Sequence, residues 1–417
     1  MANLAIWSIS AVATAGVILR AFNLPEAVWA AAGAIALVCF GLLPLDDALQ
    51  GIGKGVDVYL FLGGMMLLAE IARGTGLFDW LAAEAAAHAR GSARRLFDLI
   101  YLVGIVVTIF LSNDATAVVL TPAVAAVTRA ARVTNPLPYL LVCAFIANAA
   151  SFVLPISNPA NLVIYANHMP PLARWLPHFA LPSLLAIGVT YWILRRTQRQ
   201  SLNEALTAAI AVPKLSFSGK TAAAGIAVTA VVLMTASAMG WQLGLPTCIA
   251  GIATLILVTA LQRAAPWPYI REISWGVIPL VASLFVLVEG LEKSGAIGAL
   301  SQLLRTHAQR SEILTAGASG LLVGLVSNLV NNLPAGLVAG TAVHAADVPG
   351  SISSSVLIGV DLGPNLSVTG SLATLLWLTA LRREGITIGS LDFLKLGVLI
   401  MPPALLLALA AVAVAHG

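Results

Sequence analysis

Four polar interruptions in an otherwise apolar chain carry the residues that can do chemistry, at 112–114, 154–161, 327–334 and 361–365. They hold Asn113, Asn158, Asn161, Asn328, Asn331, Asn332 and Asn365, with Ser112 inside the first and Ser367 and Thr369 just beyond the last. Each amide offers two donors and an acceptor. Such a set can replace the hydration of a small, neutral, polyol-like solute or of an ion. It can also simply satisfy backbone groups freed where a helix opens. Two acids sit in the same breaks, Asp114 and Asp361. A carboxylate buried in lipid is costly and neutralises unless it gains a partner. Either acid can therefore carry a proton, loading it on one side and losing it on the other; the plainer role is to cap a half-helix or pair with an amide.

The elements that position these residues are membrane spans. Hydrophobic residues make up 59% of the 417 and charged residues only 10%, against roughly 25% charged in a soluble domain. Spans are expected near 4–20, 27–44 and 57–73, followed by a polar loop to about residue 95. A re-entrant hairpin over 96–131 has its tip at Ser112-Asn113-Asp114. A broken span over 138–168 opens where Pro155 and Pro159 remove donors and crowd the preceding turn, and a further span covers 175–194. The second half repeats this order: spans near 221–240, 245–262 and 274–291, a hairpin over 311–343, a broken span over 352–380 opened at 361–365, and a last span over 391–415. Unpaired backbone at membrane depth survives only inside protein or beside a water-filled cavity. Two tips and two broken helices meeting near the midplane would therefore make one small polar chamber.

The repetition is legible residue by residue. An offset of 219 sets LLAEIARGTGLFDWL at 67–81 on VLVEGLEKSGAIGAL at 286–300, Glu70 on Glu289, and Ser112-Asn113 on Asn331-Asn332. Further on the offset falls to 212, and Ser157-Asn158 faces Thr369-Gly370. Five crossings per half, an odd number, turn the second copy over, as in many secondary transporters. The expected fold is an all-α polytopic membrane protein with about ten transmembrane helices, built as an inverted repeat. Its parts are 1–200, a cytoplasmic linker at 201–220, and 221–417. The basic residues give the orientation: of the 22 lysines and arginines, 17 fall on the side assigned to the cytoplasm, Arg20 among them. The other five are Lys54, Arg174, Lys293, Arg305 and Arg310. That bias places both termini outside. The first span lacks a basic leader and reads as a retained helix.

Other features carry less. Glu70 and Glu289 have Arg73 or Lys293 close by and read as interfacial ion pairs, with gating as the alternative. Gly320/Gly324, Gly336/Gly340 and Gly359/Gly363 repeat a spacing that lets helices approach closely. Cys39, Cys143 and Cys248 form no CxxC pair and read as packing residues. His88, His168, His178, His307, His344 and His416 fall in loops or ends. No HExxH, Walker lysine loop or GxSxG occurs, so metal hydrolysis, ATP hydrolysis and serine chemistry have no footing, and no cofactor is expected. A net charge of +4 reports membrane orientation here and gives no reason to expect nucleic acid. The linker between Arg195 and Lys220 can also serve as a dock for a soluble partner.

LSNDATAVVLTPAV at 111–124, SNLVNNLPAG at 327–336 and GVDLGPNLSVTGSLATLLWL at 359–378 resemble the arsenite efflux pumps. That family lies in the ion transporter superfamily with sodium/proton antiporters and divalent-anion symporters, and the likeness covers almost the whole chain. The resemblance implies export of arsenite or antimonite across the inner membrane, driven by protons and sometimes assisted by a soluble arsenite-stimulated ATPase subunit. It implies a scaffold with a two-hairpin transport domain. By motif it assigns Ser112, Asn113 and Asp114 to one side of the solute site and Asn331, Asn332 and Pro334 to the matching tip. Asp361, Gly363, Pro364, Asn365, Ser367 and Thr369 fall in the second broken helix. One departure stands out: the residue opposite Asp114 is Leu333, so the two copies are not equivalent as proton sites. A sodium/proton antiporter is the competing expectation, since hard cations also take oxygen ligands. An intramembrane aspartyl protease would leave the broken repeats without a role.

Overall fold

The computed structural model describes residues 2–19, 22, 24–165, 169–206 and 211–416. Arg20, His168, linker residues 207–210 and the side chain of His416 lie outside the described residues. Apolar runs with few charges fold as helices because in lipid every backbone group must be satisfied within its own segment. Twenty α-helices result among the described residues, and the only strand pairing there is an isolated bridge between Ser92 and Ala205.

The first ten are α1 (Ala2–Leu19), α2 (Glu26–Cys39), α3 (Leu45–Lys54), α4 (Val56–Gly74), α5 (Leu77–Ala89), α6 (Ala93–Phe110), α7 (Thr121–Ala130), α8 (Leu137–Ala149), α9 (Pro159–Tyr165) and α10 (Leu172–Thr197). The next ten are α11 (Phe217–Ala238), α12 (Gly244–Gln262), α13 (Trp267–Glu272), α14 (Val277–Lys293), α15 (Ala296–Arg310), α16 (Glu312–Val330), α17 (Asn332–Ala346), α18 (Gly350–Leu362), α19 (Leu372–Arg383) and α20 (Ser390–His416).

Several helices of the first set match one ten places on in order and sequence offset, as α5 does α15 and α6 does α16. The correspondence reaches the caps. Gly76 before α5 and Gly295 before α15 both adopt the left-handed conformation, φ 74° and 84°, which glycine reaches at little cost. Ser92 and Ser311, 219 apart, cap α6 and α16 by accepting from the backbone N–H three residues on. Packing between the sets is reciprocal: α4 lies on α12 and α14 on α2, α9 on α17 and α19 on α7, and α10 on its own counterpart α20.

Some expectations are corrected. The segment read as a polar loop up to residue 95 is mostly helix α5, whose Leu77, Phe78, Ala82, Ala83, Ala86 and Ala89 are buried. Its alanines are small enough to pack closely, and the charges are confined to its outer face. The span expected over 27–44 stops at Cys39. At 14 residues it rises about 21 Å, short of a hydrocarbon core of about 30 Å. Among the described residues six helices are long and apolar enough to cross alone, or seven if α3 and α4, bent by 47°, count as one. The other expected crossings are short or broken.

The second break also begins later than expected. Asp361 and Leu362 are still helical, Pro364 is accommodated in a 3-10 turn over Gly363–Leu366, and the chain is extended only at Ser367 and Ser371. At the second hairpin tip only Asn331 leaves helical geometry, with φ 69° and ψ 152°. In the first hairpin the returning arm opens with a π turn, Ala115–Leu120.

The small-residue spacing proves structural at one place. A Cβ on Gly359 would stand 2.3 Å from the Gly320 carbonyl oxygen, and one on Gly363 would stand 2.4 Å from that of Gly324. Helices α16 and α18 thus touch backbone to backbone. Gly359→Ala or Gly363→Ala is expected to cost about 1–3 kcal/mol by overpacking, read as a lowered melting temperature of the detergent-solubilised protein. Gly188→Ala, on α10 where the added methyl meets nothing, should leave it unchanged.

Candidate functional site

The two hairpin tips and the two breaks converge. One internal cavity of about 20 Å³ is lined by Asn113 and Asp114 from the first tip and Asn332 and Leu333 from the second. Asn158 and Pro159 from the first break and Ser371 and Leu372 from the second complete the polar wall. Val58 and Leu62 of α4 and Val277 and Val281 of α14 add apolar lining. Residues 219 apart in the sequence line it in pairs: Asn113 and Asn332, Asp114 and Leu333, Val58 and Val277, Leu62 and Val281.

Local folding fixes each polar group. Asn113 Oδ1 accepts from the Asp114 backbone N–H at 2.9 Å, which leaves its Nδ2 for the cavity. The Asn332 N–H donates to the Gly370 carbonyl at 2.9 Å, docking the second tip on the second break. Asn158 Oδ1 accepts from the Ala160 N–H at 3.0 Å and opens α9, while its Nδ2 donates to Asp361 Oδ1 at 2.7 Å. Ser371 Oγ caps α19 by accepting from the Thr374 N–H at 3.1 Å.

Asp361 does not line the cavity. It stands one layer behind, fully buried, holding Asn158, and its Oδ2 has no hydrogen-bond partner among the described residues. Asn161 satisfies opened backbone, its Nδ2 reaching the carbonyls of Ser151, Leu154 and Pro155 at 3.0–3.3 Å. Asn365 ties the second break to α8: its Nδ2 donates to the Phe145 carbonyl, and its Oδ1 accepts from Asn148 Nδ2, each at 3.0 Å. Asn328 staples the second tip to the second break. Its Nδ2 donates to the Gly363 carbonyl, its Oδ1 accepts from the Ser367 N–H and hydroxyl, and its carbonyl accepts from the Thr369 hydroxyl. Asn331 Oδ1 accepts from the Leu333 N–H. Ser112 Oγ accepts from the Ala115 N–H and lines a neighbouring pocket.

Of the twelve residues singled out, Asn113, Asp114, Asn158 and Asn332 therefore line one space, and the other eight frame it. Sequence reasoning missed Ser371, although the 212 offset sets it opposite Pro159. It also missed Asn148, a lone amide in the buried, otherwise apolar α8, and the scaffold wall, where Val58 maps on Val277.

Asp114 is the only ionisable group in the cavity lining. Among the described residues no cation pairs with Asp114 or Asp361; the ion pairs, such as Lys54–Glu289 at 2.6 Å and Arg73–Glu70 at 2.6 Å, lie elsewhere. No group of three or more His, Cys, Asp or Glu able to hold a metal occurs among the described residues.

Long apolar helices around a cavity with amide and carboxyl groups in its lining make a multi-pass membrane protein, and its family and relatives make it a transporter rather than an enzyme. The chain belongs to the family described as citrate transporter, whose model matches residues 6–360. An arsenical pump membrane protein of Yersinia enterocolitica is 26% identical over 84% of each chain, which bears out the likeness to arsenical pumps read from the three motifs. Two solved structures share the fold. The YdaH transporter of Alcanivorax borkumensis superposes with a TM-score of 0.57 at 17% identity, covering 88% of this chain and 86% of its own. MtrF of Neisseria gonorrhoeae, described among antimetabolite efflux pumps, gives 0.59 at 13% identity over 89% and 83%.

The Asn158–Asp361 contact can be tested by exchange. Asn158→Asp alone sets two carboxyls face to face and should cost about 1–3 kcal/mol in thermal unfolding. Adding Asp361→Asn restores a donor and an acceptor and should recover most of that loss.

Proposed function

We propose that the chain is a secondary transporter exporting arsenite, and antimonite by the same chemistry, from the cytoplasm in exchange for protons. The observation that carries this is the cavity: three amides and a hydroxyl, one carboxyl and no base. Arsenite near neutral pH is largely an uncharged acid with three hydroxyls. Amides that both donate and accept suit it, and the oxygen and nitrogen donors release it more readily than a thiolate cage would. Asn113, Asn332, Asn158 and Ser371 are the groups that would touch it. Asn161, Asn328, Asn331, Asn365, Ser112, Ser367 and Thr369 would hold the opened backbone in shape. Asp114 is the proton carrier, and Asp361 positions Asn158.

The family description raises citrate as a cargo. A tricarboxylate calls for cationic clamps, and the lining offers none. The relatives named as arsenical pumps favour the neutral solute. In this reading the two sets of ten helices are head-to-tail copies, 1–200 and 221–417, joined by a cytoplasmic linker at 201–220. The membrane is the bacterial inner membrane, with both termini outside. No ATPase subunit is needed for the proton-driven cycle.

Everted membrane vesicles test the proposal. With the interior made acid, they should accumulate arsenite without sodium and without competition from citrate. Asp114→Asn should lower that uptake more than tenfold with normal membrane insertion. Sodium-dependent uptake, citrate transport, or full activity in Asp114→Asn would overturn it.

A further inference from the structure

Two pockets flank the central cavity, and they occupy equivalent places in the two copies. One is lined by Met66, Ala69, Glu70, Val118, Ile273 and Leu376, among others. The other has the counterparts of these six: Phe285, Val288, Glu289, Leu337, Lys54 and Ile164. The orientation proposed above puts the first on the cytoplasmic side and the second outside. Each therefore has a glutamate at the same position on the third long helix of its copy.

Their links to the cavity differ. Asp114, Val277 and Leu372 line both the inner pocket and the central cavity, so Asp114 and Glu70 face one continuous space. The inner pocket is about 50 Å³, room for a short file of waters, and Ser112 and Ser274 supply hydroxyls along its wall. On the outer side the counterpart of Asp114 is Leu333, which does not line that pocket, and Val163 alone is common to pocket and cavity. The glutamates also differ in their surroundings. Glu289 is 4% exposed and held by Lys54 from the other copy at 2.6 Å; Glu292 and His344 share its pocket. Glu70 meets Arg73 on its own helix at 2.6 Å, and Arg73 also reaches Glu272 on α13 at 3.4 Å. Lys54 is shared in the same way, reaching Glu292 at 3.4 Å, so what sets Glu70 apart is its greater exposure, 15% against 4%, and a pocket it shares with Asp114.

We propose that Glu70 is the proton-release residue of the inner side, receiving the proton that Asp114 carries, through waters, and passing it to the cytoplasm. Glu289, its copy, is an interfacial ion pair with no such role. Glu70 and Glu289 match at the 219 offset, and with Leu333 rather than an acid at the second tip only Glu70 shares a pocket with a cavity acid. Proton transfer needs acid and base within hydrogen-bond reach directly or through water, and only the inner pocket sets its glutamate and a cavity acid on one space.

This inference rests on the proton coupling proposed above, and wild-type vesicles judge that coupling by themselves. The test compares Glu70→Gln with Glu289→Gln in two modes: net arsenite uptake driven by a pH gradient, and arsenite exchange at equal pH, which moves no net proton. Glu70→Gln should lower net uptake at least tenfold while keeping exchange within twofold of wild type, and Glu70→Asp should restore part of the net rate. Glu289→Gln should keep the wild-type ratio of the two modes. Equal loss of both modes in Glu70→Gln would make the residue structural. Unchanged net uptake, or the same selective loss in Glu289→Gln, would equally overturn the assignment.

Discussion

Backbone that is not helical cannot be left bare at membrane depth, and the rest of this structure follows from that constraint. The chain leaves regular helix at two tips and two breaks, and side chains close these openings, some from the same segment and some from another. Asn161 reaches back over the first break, Asn328 bonds across the second, and Asn365 anchors the second break to α8. These amides are spent on structure. What remains for a solute is the small group whose amides and hydroxyl reach the cavity: Asn113, Asn332, Asn158 and Ser371. A polar cavity in lipid thus needs more residues to hold it open than to use it.

Repetition gives the frame and its loss gives direction. The cavity is lined by like residues 219 apart in the sequence, Asn113 with Asn332 and Val58 with Val277. A site symmetric in every group would have no preferred side for a proton. Asp114 opposite Leu333 breaks that equivalence at the cavity itself, and the two flanking pockets, about 50 and 360 Å³, differ accordingly. The backbone contact between α16 and α18 holds the second tip close to its break, so the polar groups cannot drift apart without separating two helices packed glycine to glycine.

Much of this was legible in the residues. Breaks show because Pro155, Pro159 and runs of Asn stand out in an apolar chain, and the repeat shows because Glu70, Gly76 and Leu81 recur at one offset. Helix α5 was hidden: an alanine-rich segment with several charges has the composition of a loop and the packing of a helix. The position of the second break was misread because Pro364 fits the start of a tight turn, so Asp361 stays helical. Which amides face solute and which face backbone was not legible at all. That depends on the direction of each side chain at a tip, and a one-residue difference decides it: Asn331 caps, Asn332 lines.

The account stands on a small oxygen- and nitrogen-lined cavity shared by both copies as the place where cargo sits. Arsenic can be located directly by anomalous scattering from crystals of the protein grown with arsenite. The account predicts one arsenic peak between Asn113 and Asn332, within hydrogen-bonding reach of Asn158 and Ser371, with oxygen neighbours only. A peak bonded to Cys39, Cys143 or Cys248 with that cavity clear would contradict it.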